Sequence, residues 1–303
     1  MQPSWVPLFD AFRSGDTRAL ARLLSFVENG QPGYRQLLAA LTWPDDVRVI
    51  GITGPPGAGK STLTDGLIGT LVAQGKRVAV LCVDPSSPFN LGAVLGDRIR
   101  MSQWYTHPDV FIRSLATRGS MGGLNPRIIE LTDVLRAARF DYVLVETVGV
   151  GQSEIEIAGL ADTTLVVLVP EAGDEVQTMK AGLMEIADIF VVNKSDRPDA
   201  ALFMKNLRQM LAPAFASTTH AIPILATVAH EGKGLRELAD AIEADRQQPH
   251  NAERRLWLRA EKAWQLIQQE RMRDLSKEQL RDALAVEANL YQVVERYVGI
   301  SDL

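Results

Sequence analysis

The 303-residue sequence has a single cysteine, Cys82, so no intrachain disulfide framework is available and a reducing compartment fits. Histidine is also scarce: His107, His220, His230 and His250 are scattered, with no metal-ligand spacing. Basic residues are not in excess. Lys and Arg total 32 against 37 Asp and Glu, a net charge of −5, which argues against a general binder of nucleic acid or of anionic membranes. No apolar run approaches the roughly 18 residues of a membrane-spanning helix. Met1–Asp10 lacks the basic and then apolar stretches of a secretory leader. Internal repeats and low-complexity tracts are absent too. What remains is 46% hydrophobic and 23% charged, the composition of a chain that folds around a large core. The expectation is a cytoplasmic α/β protein with no nucleic-acid or membrane partner.

Three regions follow from hydrophobic rhythm. Residues 1–46 read as a helical segment: Leu20, Leu23, Leu24 and Val27 recur at helical spacing after Asp16, and Leu37, Leu38 and Leu41 form a second stripe. Residues 47–246 alternate short Val/Ile/Leu runs with helical patterns. The runs are Val47–Thr53, Arg77–Val83, Asp141–Thr147, Thr163–Val169 and Ile189–Asn193. Ile222–Thr227 is a weaker candidate, and Val110–Leu115 an edge-strand candidate. That alternation predicts βαβ units and a mainly parallel sheet flanked by helices. Residues 247–303 read as helices again, with Ser276–Gln279 as a capping box. They form either an appendage on the sheet domain or a projecting arm that pairs with a second subunit.

The strongest chemical signal is Gly54-Pro55-Pro56-Gly57-Ala58-Gly59-Lys60-Ser61, the G-x-x-x-x-G-K-[ST] phosphate loop, between an apolar run and a helical pattern. Its glycines let backbone N–H groups wrap phosphates, with Thr62 opening the helix behind it. Lys60 is expected to reach the β/γ-phosphates and the Ser61 hydroxyl to ligate Mg²⁺. Asn193-Lys194-Ser195-Asp196 follows an apolar run about 130 residues later, where N-K-x-D reads guanine. The Asp196 carboxylate accepts from guanine N1–H and N2–H₂, a donor pair that adenine lacks. Lys194 covers the base and Asn193 braces the loop; Thr227 and Val228, at the end of the weak strand, complete the base-binding candidates. The bland alternative is a helix cap before Pro198.

Acids at other strand ends point to a metal. Glu146-Thr147-Val148-Gly149 closes one apolar run, with Glu146 where a Walker-B acid stands and Gly149 as γ-phosphate donor and hinge. Small G proteins mostly have Asp-x-x-Gly there, so the longer Glu146 favours a water-mediated or differently placed contact. Asp84 and Asp97 are further metal-side candidates, against an Asx-turn and an N-cap respectively. Arg118–Gly123 is a glycine-rich loop, and Glu171–Glu175 opens a third loop with Lys180 behind it. Cys82 reads as core.

Together these motifs resemble the MeaB/ArgK family (MMAA in animals), G-protein chaperones of adenosylcobalamin-dependent acyl-CoA mutases within the SIMIBI class of P-loop GTPases. The resemblance rests on 54–61, Val83–Ser87, Leu95–Met101, Ala116–Gly119, Glu146–Glu154, Ala172–Glu175, Met184–Asp188 and Asn193–Asp196, and spans residues 10–250. It implies a Mg²⁺ site of Ser61, Asp84 and Glu146, which Asp97 joins on closure of a first switch at 84–100. It also implies a second switch at 146–154 and a third at 171–181, where Asp174, Glu175, Gln177 and Lys180 transmit nucleotide state to the mutase. The C-terminal helices would be a dimerisation arm, and adenosylcobalamin would be bound by the partner. Two departures stand out: Glu171 replaces the family's Gly, which should stiffen the third switch, and Ser120 stands where His is common. No Gln directly follows Glu146–Gly149, and Gln152 is three residues on. Slow intrinsic hydrolysis, with Lys60, Asp97, Glu146 and Gly149 as the catalytic set completed by the partner, is the expectation. The rivals are a metal-insertion GTPase, which the dearth of Cys and His opposes; a small-molecule or protein kinase, for which no base is evident; and a scaffold without turnover.

Overall fold

A computed structural model describes residues 3–44, 46–84, 101–117, 124–148, 153–172, 186–215, 222–246, 251–287 and 289–298. The first compact unit spans 1–253 and the second 254–303.

Three helices come first: α1 (Val6–Arg13), α2 (Thr17–Glu28) and α3 (Tyr34–Ala39). The Asp16 carboxylate caps α2, accepting from the N–H groups of Arg18 (2.7 Å) and Ala19 (3.1 Å). The predicted stripe Leu20, Leu23, Leu24 and Val27 is its buried face. Strands and helices then alternate: β1 (Arg48–Thr53), α4 (Lys60–Ala73), β2 (Val78–Asp84), β3 (Val110–Ala116), α5 (Ile128–Arg136), β4 (Tyr142–Glu146), α6 (Ser153–Leu160), β5 (Thr163–Leu168), β6 (Ile189–Val192), α7 (Ala200–Phe215), β7 (Ile224–Ala226) and α8 (Leu235–Arg246).

The strands form one sheet of order β3-β2-β4-β1-β5-β6-β7, and every pair is parallel. Strands buried on both faces explain the unbroken Val/Ile/Leu runs. Period-two alternation divides them. Ile50, Ile52, Val80, Leu144, Val167 and Val191 pack with Leu63, Leu67 and Leu71 of α4 and Leu238 of α8. Val166, Leu168, Phe190 and Val192 face Phe203, Leu207 and Leu211 of α7. Cys82 is fully buried in the first of these layers. β3 is the edge strand, as its half-polar run predicts. The opposite edge is shorter than the sequence suggests, with β7 covering only 224–226. Pro223 has no N–H to give the ladder, although its carbonyl accepts from Phe190 N (2.9 Å).

The second unit takes up most of α9 (Asn251–Arg271), then α10 (Lys277–Val286) and α11 (Leu290–Val298). Ser276 and Gln279 form the predicted reciprocal capping box.

Candidate nucleotide-binding site

β1 is central, with β4 and β5 on either side; the connection from β1 runs one way along the sheet to β2, and that from β4 runs the other way to β5. In open parallel sheets the carboxyl ends of the strands at such a point are where ligands bind. The glycine-rich loop lies there. Gly54 has φ +138°, and a Cβ on it would stand 2.1 Å from the Val167 carbonyl oxygen, so only glycine fits. Gly59 has φ +88°, and its Cβ would meet Asn193 Nδ2 at 2.4 Å. The loop is therefore packed against both β5 and the segment after β6.

Lys60 and Ser61 open α4 and are buried. Lys60 Nζ donates to the carbonyls of Gly54 (2.8 Å) and Pro55 (3.1 Å), which holds the ammonium across the loop it serves. Ser61 Oγ donates to Glu146 Oε1 (2.6 Å), and Thr64 Oγ1 donates to Glu146 Oε2 (2.9 Å). Glu146 thus receives a hydroxyl on each oxygen, as a buried carboxylate requires. Register carries Asp84 to the same place: Cys82 pairs with Glu146, and Asp84 lies two residues further along β2. Asp84 and Glu146 are both buried. Ser61, Asp84 and Glu146 are hard oxygen donors of the kind Mg²⁺ takes, so the donor set fits that ion. Among the described residues, no group of three His, Cys, Asp or Glu side chains could hold a metal. Beside them Thr147 Oγ1 donates to Thr53 Oγ1 (3.0 Å), tying the tips of β4 and β1 together.

The guanine-type loop follows β6. Asn193 is buried, and its Nδ2 donates to the Ala58 carbonyl (3.0 Å). Its Oδ1 accepts from Thr227 Oγ1 and from Ala229 N, both at 3.1 Å. One side chain therefore joins the phosphate loop, the strand-end Asn and the segment after β7. Lys194 has φ +54°, and its Nζ donates to the Gly57 carbonyl (2.7 Å), which lays the stem across the loop. The Thr227 carbonyl accepts from Ser195 N (3.0 Å), and Val228 N donates to the Lys233 carbonyl (3.1 Å). Asp196 is exposed. Lys233 Nζ lies 2.5 Å from Glu231 Oε2. That pair holds the Lys233 ammonium above its usual pKa, with the Asp196 charge adding in the same direction, and Glu231 below its own.

The structure thus brings together Gly54–Ser61, Asp84, Glu146, Asn193, Lys194, Thr227 and Val228. Thr62 lies on α4, one residue past Ser61. Asp97, Ser120, Gly149, Asp174, Glu175, Gln177 and Lys180 lie outside the described residues. Glu171 is described: it stands in a short 3₁₀ turn, Pro170–Ala172, and its carboxylate pairs with Arg197, the residue after Asp196. Sequence reasoning missed Thr64, Ala229 and Lys233. Only Thr64 carried a signal, since it lies three residues after Ser61 on one helix face.

Fold and site define a P-loop GTPase. The family model described as "Methylmalonyl Co-A mutase-associated GTPase MeaB" matches residues 20–285, and the chain belongs to this family. A putative GTPase of Pyrococcus abyssi is 48% identical over 245 residues, covering 79% of this chain and 75% of the relative. GTPase ArgK of Escherichia coli is 41% identical over 189 residues, covering 61% and 57%. Among solved structures, one titled LAO/AO transport system kinase superposes with a TM-score of 0.67 at 26% identity, covering 99% of this chain and 98% of that one. The chain is a GTPase, and its fold implies GTP and GDP with Mg²⁺.

Proposed function

We propose that this GTPase is a metallochaperone that gates adenosylcobalamin loading into a B12-dependent acyl-CoA mutase, and protects or reactivates that mutase. The observation that carries this reading is the mutase-associated family model, which matches across the whole sheet domain.

The phosphates lie along the N–H groups of 54–61 at the α4 N-terminus, where backbone donors and the helix dipole favour anions. Lys60 exchanges its two loop carbonyls for β/γ-phosphate oxygens. Ser61, Asp84 and Glu146 hold Mg²⁺, which neutralises charge on those oxygens when bound. Asp97 joins that set, and the Gly149 N–H donates to the γ-phosphate. Thr64 keeps the Glu146 carboxylate turned toward Ser61. Asp196 reads guanine, with Lys194 over the base and Asn193, Thr227 and Val228 shaping the pocket wall. Hydrolysis is slow in the isolated chain because water must be positioned, and the mutase completes that positioning. Asp174, Glu175, Gln177 and Lys180 report nucleotide state to it, and the Glu171–Arg197 pair stiffens the start of that segment. Adenosylcobalamin stays on the mutase.

We also propose that 247–303 is a homodimerisation arm. Its support is an apolar stripe at helical spacing on α9, with Trp257 72%, Trp264 59% and Ile267 49% exposed.

GTP turnover by the full chain, alone and with each available B12-dependent acyl-CoA mutase and its cobalamin, tests the reading. One mutase is expected to raise the rate by about tenfold or more. Equal rates with all of them would overturn it.

A further inference from the structure

A cavity of about 530 Å³ lies at the other end of the sheet from the nucleotide loops. It is within the size range of small-molecule sites. Trp43 precedes β1, Arg77 precedes β2 and Phe140 precedes β4, so the wall is built from the amino ends of strands whose carboxyl ends form the GTP site. Roughly 20 Å of strand separates the two. The other wall is the turn between α1 and α2, with Phe12 and Arg13.

The lining is chemically asymmetric. Part of it is aromatic, lined by the buried Phe12 and Phe140 and the more exposed Trp43. Three arginines stand on its wall, Arg13, Arg77 and Arg139, in a chain whose net charge is −5. The acid lining the cavity, Asp16, is committed to two N–H groups of α2. Arg77 lies over the Phe140 ring (5.3 Å to the centroid), 3.7 Å from Asp109, and its Nη1 donates to the Arg139 carbonyl (3.0 Å). Arg13 and Arg139 have no carboxylate partner among the described residues. Arg139 also holds φ +61°, a left-handed conformation where glycine is the ordinary residue. An arginine at that position places a cation on the cavity rim at a backbone cost that a surface turn would otherwise avoid.

We infer that this cavity binds an organic anion with a flat apolar body, the body on Phe12, Trp43 and Phe140 and the anionic group between Arg13 and Arg139. Guanidinium groups favour this chemistry because they stack on aromatic faces and chelate carboxylate, sulfonate or phosphate oxygens. The inference does not depend on the mutase reading, since it concerns a second site on the same unit.

The probe is 1-anilinonaphthalene-8-sulfonate, titrated by fluorescence into the full chain saturated with GDP and Mg²⁺. The expected result is a saturable component that 1-naphthoate displaces and neutral 1-naphthalenemethanol does not. Its affinity falls about tenfold in Arg13→Ala/Arg139→Gly, a loss of about 1.4 kcal/mol. Glycine suits the left-handed turn, so this variant keeps its fold and its GTP turnover. A Trp257→Ala control leaves the component unchanged, which separates it from dye on the exposed α9 face. No saturable component, equal affinity in the double variant, or loss in the Trp257→Ala control would each overturn the proposal.

Discussion

The two halves of the nucleotide site are built differently. At the phosphate corner, Lys60, Ser61, Thr64, Asp84 and Glu146 are buried, Lys60 is held by two loop carbonyls, and Ser61 and Thr64 both donate to Glu146. At the base corner, the bracing residue Asn193 is buried, but Asp196, proposed to read the base, stands in solvent. Charge stabilisation in phosphoryl transfer gains from groups held near their working positions, and Lys60 has only to trade two loop carbonyls for phosphate oxygens. Base selection needs only a carboxylate that is costly to leave without donors once the base covers it. Substitutions at the phosphate corner should therefore act on turnover, and those at the base corner on which nucleotide binds.

Lys60→Ala should produce the largest effect, lowering GTP turnover by about 100-fold or more and weakening every triphosphate regardless of base. Single-turnover hydrolysis with GTP and ITP checks it; a base-dependent loss would break the division between the corners. Asp196→Asn comes next. GTP affinity should fall by about 50-fold, the worth of charge-assisted hydrogen bonds, while xanthosine triphosphate affinity rises, because xanthine carries a carbonyl where guanine has its amine. Calorimetric titration of both nucleotides reads the switch, and the melting temperature without nucleotide should not move. Asn193→Ala should join the two corners' failures. It removes three hydrogen bonds across two loops, so stability should drop by about 2 kcal/mol, with GTP and GDP affinity falling together. Denaturant unfolding and nucleotide titration of one preparation measure both.

The smallest effect sharpens the contrast between two buried carboxyls. Glu146 receives two hydroxyls. Glu130, in the first turn of α5, has a backbone hydrogen bond and a long contact to Arg127 (3.5 Å), and burial outweighs both and pushes its pKa up. A raised folded-state value means that the protonated form stabilises the fold, and that this contribution is lost as pH rises through that value. Glu130→Gln should therefore raise the melting temperature near pH 8 and leave it unchanged near pH 4. Equal shifts at both would place the Glu130 effect in packing.

Much of the fold was legible because it is written in local periods. The α2 stripe, its Asp16 cap, the Ser276–Gln279 box and the apolar strands all act within a few residues, and unbroken apolar runs already imply a sheet covered on both faces. β7 was overextended at its start because Pro223 has no N–H for the ladder. The candidate site was legible where motif and chemistry coincide, at 54–61 and 193–196, which the fold carries to the strand ends. What stayed hidden depends on strand order. Asn193 donates to Ala58 across 135 positions, and Thr64 meets Glu146 across 82; no spacing encodes either. The aromatic and arginine cavity was hidden for the same reason, since Arg13, Arg77 and Arg139 meet only where three chain segments converge.

The most direct test is the affinity of the proposed client mutase for this GTPase loaded with GDP and with a non-hydrolysable GTP analogue, measured side by side. A nucleotide can gate a partner only through different affinities in its two states. The two affinities are expected to differ by about tenfold or more. Equal affinities would contradict gating by nucleotide.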